Sequence, residues 1–270
     1  MHIFDIFIPI LINPLINILL AFYHLALLLH LPGPLGWAII LLTIAVRLAV
    51  SPLVRAQLLH QRRLLELKPQ LDELKRKHSK DAKKHREEQS KFYKEQGVNP
   101  AAGCLPLLLQ LPILIGLYQV FLNLFNNSAQ ALAHVNSVAY LPWLHLTHLD
   151  ETFLGLNLAS SPAHYGLLSP FILIPVFTGL LQLILAQMTT PPKTPKATAK
   201  EQSFEDALAS SQGSMAYIFA LMIGYLAFSF PIGLALYWNV ANIFAIIQQY
   251  LILGPGGLSR WLPKKTNPSK

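Results

Sequence analysis

Charge is scarce in this chain. Of its 270 residues only 13% are Asp, Glu, Lys or Arg, about half of the ~25% usual in soluble domains. Hydrophobic side chains make up 53%, and the mean hydropathy is +0.43. These values exclude a soluble enzyme, a nucleic-acid-binding domain and a disordered chain. A single cysteine, Cys104, excludes an internal disulfide framework and a cysteine-based zinc site. The Gly-rich phosphate loop of nucleotide-binding proteins is missing too, which leaves no nucleotide site. The 20 prolines form no Pro-rich tract; they are scattered, several within apolar runs.

What charge there is has been segregated. Residues 1–46 contain no Lys or Arg and one acid, Asp5, and residues 97–192 contain no Lys or Arg at all. Residues 55–96 hold 13 of the 21 basic residues and 7 of the 13 acids. Lys193, Lys196 and Lys200 follow, and Arg260, Lys264, Lys265 and Lys270 close the chain. One base remains, Arg47, inside an apolar run.

A bilayer-spanning helix needs roughly 17–25 apolar residues. Leu35–Val54, Cys104–Phe125 and Leu167–Met188 qualify, and Met215–Leu253 is long enough for two spans. Proline disfavours helix at the residue before it, so Ser229-Phe230-Pro231 divides the last run into 215–230 and 231–253. The expected fold class is therefore all-α, a polytopic membrane protein with five transmembrane helices. If the amino end of the first span lies outside, the basic segments 55–96, 189–214 and 254–270 lie in the cytoplasm. The base-free loop 126–166 then lies outside, as the positive-inside rule requires. In the N-terminal segment 1–34, residues 3–31 are also apolar and form either a sixth span or, with Asn13, Asn17 and His24 on one helical stripe, an interfacial helix. A polar stripe suits a helix lying in the interface, and no basic signal-peptide region precedes it.

Within 55–96, Leu64, Leu67, Leu71 and Leu74 recur with heptad-like spacing, repeated more weakly by Ala82, His85, Gln89 and Phe92. The segment between them carries Ser79 and Asp81, either of which can cap a helix start. A cytoplasmic helical hairpin follows. It is either a solvated connector or a docking surface for ribosome, translocon or lipid head groups, and its basic residues attract anionic lipid.

Arg47 is the most informative residue. An arginine at the centre of a membrane helix costs about 2.5–3.5 kcal/mol on insertion scales and cannot escape by losing its proton. No Asp or Glu lies in any of the five spans to pair with it. Polar residues on other spans could wall a hydrated groove around it: Gln110, Gln119, Thr178, Gln182, Asn239, Asn242 and Gln248. An uncompensated cation there would attract acidic or polar peptide segments, more strongly than at a wet surface. In the 126–166 loop His145 and His148 lack a third metal ligand, and Cys104 reads as a packed small residue. No cofactor or metal site is expected, and no enzymatic bond chemistry.

Three motifs resemble a known family. Gly97-Val98-Asn99-Pro100-Ala101-Ala102-Gly103-Cys104-Leu105-Pro106 through Ile113 resembles the second core helix of the YidC membrane protein insertases. Ile40 to Leu48, with Arg47 and then Ser51-Pro52-Leu53, is similar to their first core helix. Phe230-Pro231-Ile232-Gly233 through Tyr237-Trp238 to Gln248-Gln249 is similar to their last. Ile232 stands where the family often has a small residue. Leu185-Ala186-Gln187-Met188 lacks the common polar pair, and Asn239 and Asn242 are not adjacent as is usual.

The resemblance implies a five-helix core with a groove open to the cytoplasm and to lipid. It implies insertion of nascent membrane proteins in a bacterial plasma membrane, with the ribosome, the Sec translocon and membrane lipids as partners. It points to the short form typical of Gram-positive members, without the large exterior domain or a lipoprotein cysteine. The groove residues it implies are Arg47, Gln110, Gln182, Trp238, Asn239 and Asn242. An assembly scaffold for membrane complexes is the alternative reading. A channel or transporter is disfavoured, since no internal repeat relates the halves.

Overall fold

The computed structural model describes residue 10 and residues 12–78, 81–99, 105–125, 129–189 and 204–260; at 105–112 and 204–216 only the helical backbone is described. Among the described residues the protein is all-α but for a ribbon of two short antiparallel strands, β1 (Thr152–Phe153) and β2 (Leu156–Asn157). Cys104 and most of the tail from Gly254 to Lys270 lie outside the described residues, as does most of the 189–203 segment.

Helix α1 (Asn13–Leu28) starts with Pro14 in its first turn, where the missing N–H costs nothing. It ends in a Schellman motif: Leu31 N–H donates to Ala26 O, His30 N–H to Leu27 O, and His30 adopts φ 53°. Helix α2 (Pro34–Lys77) runs 44 residues without a break, through Pro52 and Pro69. At 1.5 Å per residue it is about 66 Å long, roughly twice the ~30 Å of a bilayer core. The apolar run 35–54 and the first basic stretch are thus one rod, and the predicted change at residue 55 is a change of side chains only. Helix α3 (Ala82–Glu95) is capped by Asp81, whose carboxylate accepts from the N–H groups of Lys83 and Lys84 at 3.1 and 3.0 Å. Of the two candidate caps, Asp81 is the one in place.

Helix α4 (Leu105–Leu124) is followed by the short α5 (Ala129–Ser137), the ribbon, and then α6 (Leu173–Thr189), α7 (Phe204–Ser229) and α8 (Ile232–Leu253). The segments Pro34–Leu74, Pro170–Thr189 and Ile232–Leu253 are long and apolar enough to cross a membrane, while Asn13–Leu28 and Tyr217–Ser229 are shorter apolar helices. Pro231 ends α7 and precedes α8, as its restriction on the preceding residue demands. The first N–H groups of α8 find acceptors in the loop just after β2: Ile232 N–H donates to Ser160 O and Gly233 N–H to Leu158 O. Gly233 is needed there, because a Cβ would meet the Phe125 ring at 2.7 Å.

The described chain forms two compact units. The first comprises residues 1–50, 107–181 and 222–244; the second 51–106, 182–221 and 245–270. The first holds one apolar core, in which Ile16, Leu19, Leu20, Leu35, Ile39, Leu42, Leu117, Val120, Phe121, Leu158 and Leu234 are at most 1% exposed. Phe121 and Phe125 stack at 5.3 Å within it. In the second unit the heptad positions Leu67, His85 and Gln89 are buried, while Glu66, Lys84 and Arg86 beside them are exposed. His60 Nε2 lies 2.9 Å from Asn99 O, and Gln61 Nε2 donates to Thr189 O at 3.0 Å.

One sequence argument meets a different outcome. The Asn13–Asn17–His24 stripe suggests a water-facing side for α1, yet Asn17 is buried against the loop that follows α5. Its amide donates to Asn13 O and Val138 O, and its Oδ1 accepts from Tyr140 N–H at 2.6 Å. His24 stacks edge-on between Tyr23 and Trp143. A polar stripe can serve unpaired loop backbone as well as water, and hydropathy does not separate the two.

Candidate functional site

Arg47 belongs to the stripe of α2 that faces the first unit's interior. Leu35, Ala38, Ile39, Leu42 and Thr43 are all at most 1% exposed, at helical i, i+3 and i+4 spacing. Val46, Arg47 and Val50 continue the same stripe but are half-buried. Leu48 and Ala49, on the other side, are exposed. The packing therefore loosens along α2 just where the cation stands, and the guanidinium is on the protein side of the helix rather than on its outer face.

Among the described residues Arg47 has no hydrogen bond and no ion pair. Thr43, one turn earlier, does not serve it: the hydroxyl donates to Ile39 O at 2.6 Å. The ionisable group electrostatically coupled to Arg47 is Tyr237 on α8. Tyr237 is buried. It belongs to the last motif read from sequence but was not among the expected groove residues. An electrostatic influence between residues on two helices leaves no mark in either helix's own periodicity.

The same stretch of α8 carries Trp238, Asn239, Ala241 and Asn242. Asn242 is 3% exposed with an unpaired Nδ2, and Asn239 has a buried, unpaired Oδ1. One is a free donor and the other a free acceptor. Each unpaired buried polar group costs about 1–3 kcal/mol, so these two asparagines are groups waiting for hydrogen-bonding partners. Trp238 has a different environment. It packs with Thr178, Ile223, Ala227, Phe230, Leu234 and Ala235 around a void of about 10 Å³, no larger than one water needs. The Thr178 hydroxyl is already used by Ile174 O at 2.9 Å.

Gln182 is buried on α6, in the second unit. Gln110 lies on α4 in the part whose side chains are outside the described set, and Gln119 is exposed on the same helix. Gln248 is hydrogen-bonded to Ser51. His145 and His148 are both exposed on their loop. Sequence reasoning missed two further polar groups of the second unit: Gln249, 2% exposed with an unpaired Nε2, and Gln57, whose two amide atoms are both buried and unpaired. Gln57 escaped notice because it lies in the charged part of α2, where a glutamine attracts no attention.

Residues 27–255 match the model of a family described as 60Kd inner membrane protein. The chain is similar to the membrane protein insertase YidC of Nitratidesulfovibrio vulgaris (strain DSM 19637 / Miyazaki F), with 30% identity over 244 residues, 90% of this chain and 38% of the relative. It is similar to that of Aquifex aeolicus, with 34% identity over 215 residues, 80% of this chain and 34% of the relative. With the membrane protein insertase YidC of Oceanobacillus iheyensis it shares 31% identity over 224 residues, 82% of this chain and 75% of the relative. The chain thus spans about two-fifths of the length of the longer relatives, such as that of N. vulgaris, and three quarters of the shorter one.

Proposed function

The chain belongs to the 60Kd inner membrane protein family, the family of the YidC insertases, and from that premise we propose that it moves nascent membrane proteins into the bilayer of a bacterial plasma membrane. The work is partitioning, not bond chemistry. An apolar segment gains free energy on entering lipid, at roughly 25 cal/mol per Å² of apolar surface removed from water. Its polar flank must cross the apolar layer, and that crossing sets the barrier. A hydrated groove reaching partway into the layer shortens the crossing.

Arg47 is the group that holds the flank. The observation that carries this reading is its lack of any hydrogen-bond or ion-pair partner among the described residues, on a span without acids. A structural arginine at such a depth would be expected to be spent on a carboxylate or on backbone carbonyls. Asn239 and Asn242 offer a free acceptor and a free donor on α8, suited to the peptide groups of an extended flank. A membrane potential positive outside adds about 2.3 kcal/mol per charge per 100 mV for acidic flanks moving outward. In this reading α3, the second part of α2 and the basic tail are cytoplasmic, where a ribosome or the Sec translocon delivers the substrate.

The test is insertion by the full chain reconstituted in vesicles, scored by protease protection of a single-span substrate with an acidic translocated tail. Arg47→Ala should lower insertion at least tenfold at equal protein level, and Arg47→Lys should restore part of it. A neutral-tailed substrate should be less affected. Equal insertion of the acidic substrate by the Ala variant would make Arg47 a structural residue. Crosslinking from position 47 separates insertion, where contact with the nascent chain is transient, from assembly scaffolding, where it persists.

A further inference from the structure

The ribbon between α5 and α6 breaks a local rule at its tip. Its two strands are joined by Leu154 and Gly155, with φ of 50° and 80°. Two-residue hairpin turns with positive φ at both positions favour Asn-Gly or Asp-Gly. Leucine is a poor choice on backbone grounds, and here it gains nothing from packing, since it is 77% exposed.

The tip does not stand alone. The ribbon backbone lies on the turn between α1 and α2: a Cβ at Gly33 would sit 2.8 Å from Thr152 O and 2.9 Å from Phe153 Cα. Phe153 packs edge-on to Trp37 at 5.9 Å. Beside this joint, α1 ends with Leu28 and Leu29, both more than half exposed. One turn before Leu28 is His24, whose ring carries Trp143 at 6.0 Å, and that tryptophan is also more than half exposed. Chain segments far apart in sequence thus present Leu28, Leu29, Trp143 and Leu154 around one corner, with Leu28 and Leu29 six and five residues before the start of the spanning helix α2.

Lys and Arg are missing from this corner. No Lys or Arg occurs before residue 47 or between 97 and 192. Asp150 Oδ1 accepts from Thr152 N–H and Oγ–H at 2.9 and 2.7 Å, and Glu151 Oε1 is buried. Of the two acids of the region, Asp150 is thus bonded locally, while the buried Glu151 oxygen has no hydrogen-bond partner among the described residues.

We propose that this corner is a lipid anchor: the ribbon tip, with the end of α1 and Trp143, enters the boundary between head groups and acyl chains on the base-free side of the membrane. A lipid surface is the occupant that fits, because the corner adjoins the end of a membrane-spanning helix and combines leucines with a tryptophan, the interface residue of membrane proteins. The left-handed Leu154 is then explained, as its exposed side chain is solvated by lipid. The ribbon holds the α1–α2 turn at a set depth, and with it the amino end of the helix that carries Arg47.

The experiment uses the full chain with Cys104→Ala, reconstituted in vesicles of phosphatidylethanolamine and phosphatidylglycerol. A nitroxide is attached to Leu154→Cys, Leu28→Cys or, as an aqueous control, Lys94→Cys. Labels at 154 and 28 should collide several-fold more often with oxygen than with a water-soluble nickel chelate, relative to the label at 94. A label at 154 matching that at 94 overturns the proposal. So does protection at 154 that appears only at high protein-to-lipid ratio, which would mean a second copy covers the corner. An independent check is Leu154→Asn, which suits the backbone better. It should retain or raise the melting midpoint in mild detergent but lose the label-detected immersion of position 28. If position 28 stays equally immersed, the tip is not an anchor.

Discussion

The side-chain amide of Gln248 on α8 donates to both oxygens of Ser51 on α2, the hydroxyl at 2.9 Å and the backbone carbonyl at 3.2 Å. Ser51 immediately precedes Pro52, and the bond ties α2 to α8 beside a proline. Interhelical bonds of this kind average about 0.6 kcal/mol in membranes, with a maximum near 1.7. A double-mutant cycle of Gln248→Leu and Ser51→Ala, read by unfolding in mixed micelles, should return a coupling in that range. A coupling indistinguishable from zero would mean that each group finds another partner.

Asn17 joins α1 to the loop that follows α5 through Val138 O and Tyr140 N–H. Removing it strands two backbone groups at once. Asn17→Ala should cost about 1–3 kcal/mol, seen as a lowered thermal midpoint and as faster hydrogen exchange at Tyr140. Asn17→Asp should leave Tyr140 protected and expose only the Val138 side, since a carboxylate accepts but does not donate.

Gly179 on α6 and Gly224 on α7 face each other in the first unit; a Cβ on Gly224 would stand 3.2 Å from the Gly179 Cα, and one on Gly179 3.4 Å from the Gly224 Cα. Small residues let membrane helices pack backbone to backbone. Gly179→Ala should be nearly neutral, because 3.4 Å is ordinary contact. Gly224→Ala should be slightly worse, and Gly224→Leu should cost at least about 2 kcal/mol, as overpacking does. Thermal unfolding in detergent ranks the three.

Glu151 has its carboxyl pushed up from the usual carboxylate range, first by burial, with His148 opposing and Asp150 reinforcing. A raised value in the folded state stabilises below the unfolded value and loses that benefit as pH rises through the folded one. Asp150 runs the other way. Its carboxyl is held down by the two bonds from Thr152, so its contribution is present above the unfolded value and lost as pH falls through the folded one. Glu151→Gln should therefore raise the midpoint at neutral pH and leave it unchanged well below the carboxylate range. Asp150→Asn should lower it at neutral pH. Melting curves from pH 3 to 7 (a window taken from ordinary carboxylate values of about 4) distinguish the pair. Equal shifts for Glu151→Gln at both ends would remove burial as the cause.

Much of this protein was legible one residue at a time. Hydropathy and the placement of Lys and Arg mark it as an all-α membrane protein, because lipid tolerates no unsatisfied backbone and so admits long apolar helices. The Pro231 break separates α7 from α8 on the sterics of a single ring. The spacing of Leu67, His85 and Gln89 marks the inner faces of the basic helices. Arg47 stands out because of where an arginine should not be, and the three motifs around it carry the family.

Other features needed the folded chain. The Asn17 stripe is polar whether it faces water or loop carbonyls, and only the path of residues 138–140 decides between them. Trp238 and Asn242 are four residues apart on one helix, yet one is packed against α6 and α7 and the other keeps a free amide. Sequence lists the donors and acceptors that each helix carries; it does not say which of them meet, because pairing across helices depends on rotation and separation, which no single helix encodes. Composition determined which solvent this chain requires and which one residue defies it, while tertiary packing alone decided that the guanidinium of Arg47 would meet no hydrogen-bond or ion-pair partner among the described residues.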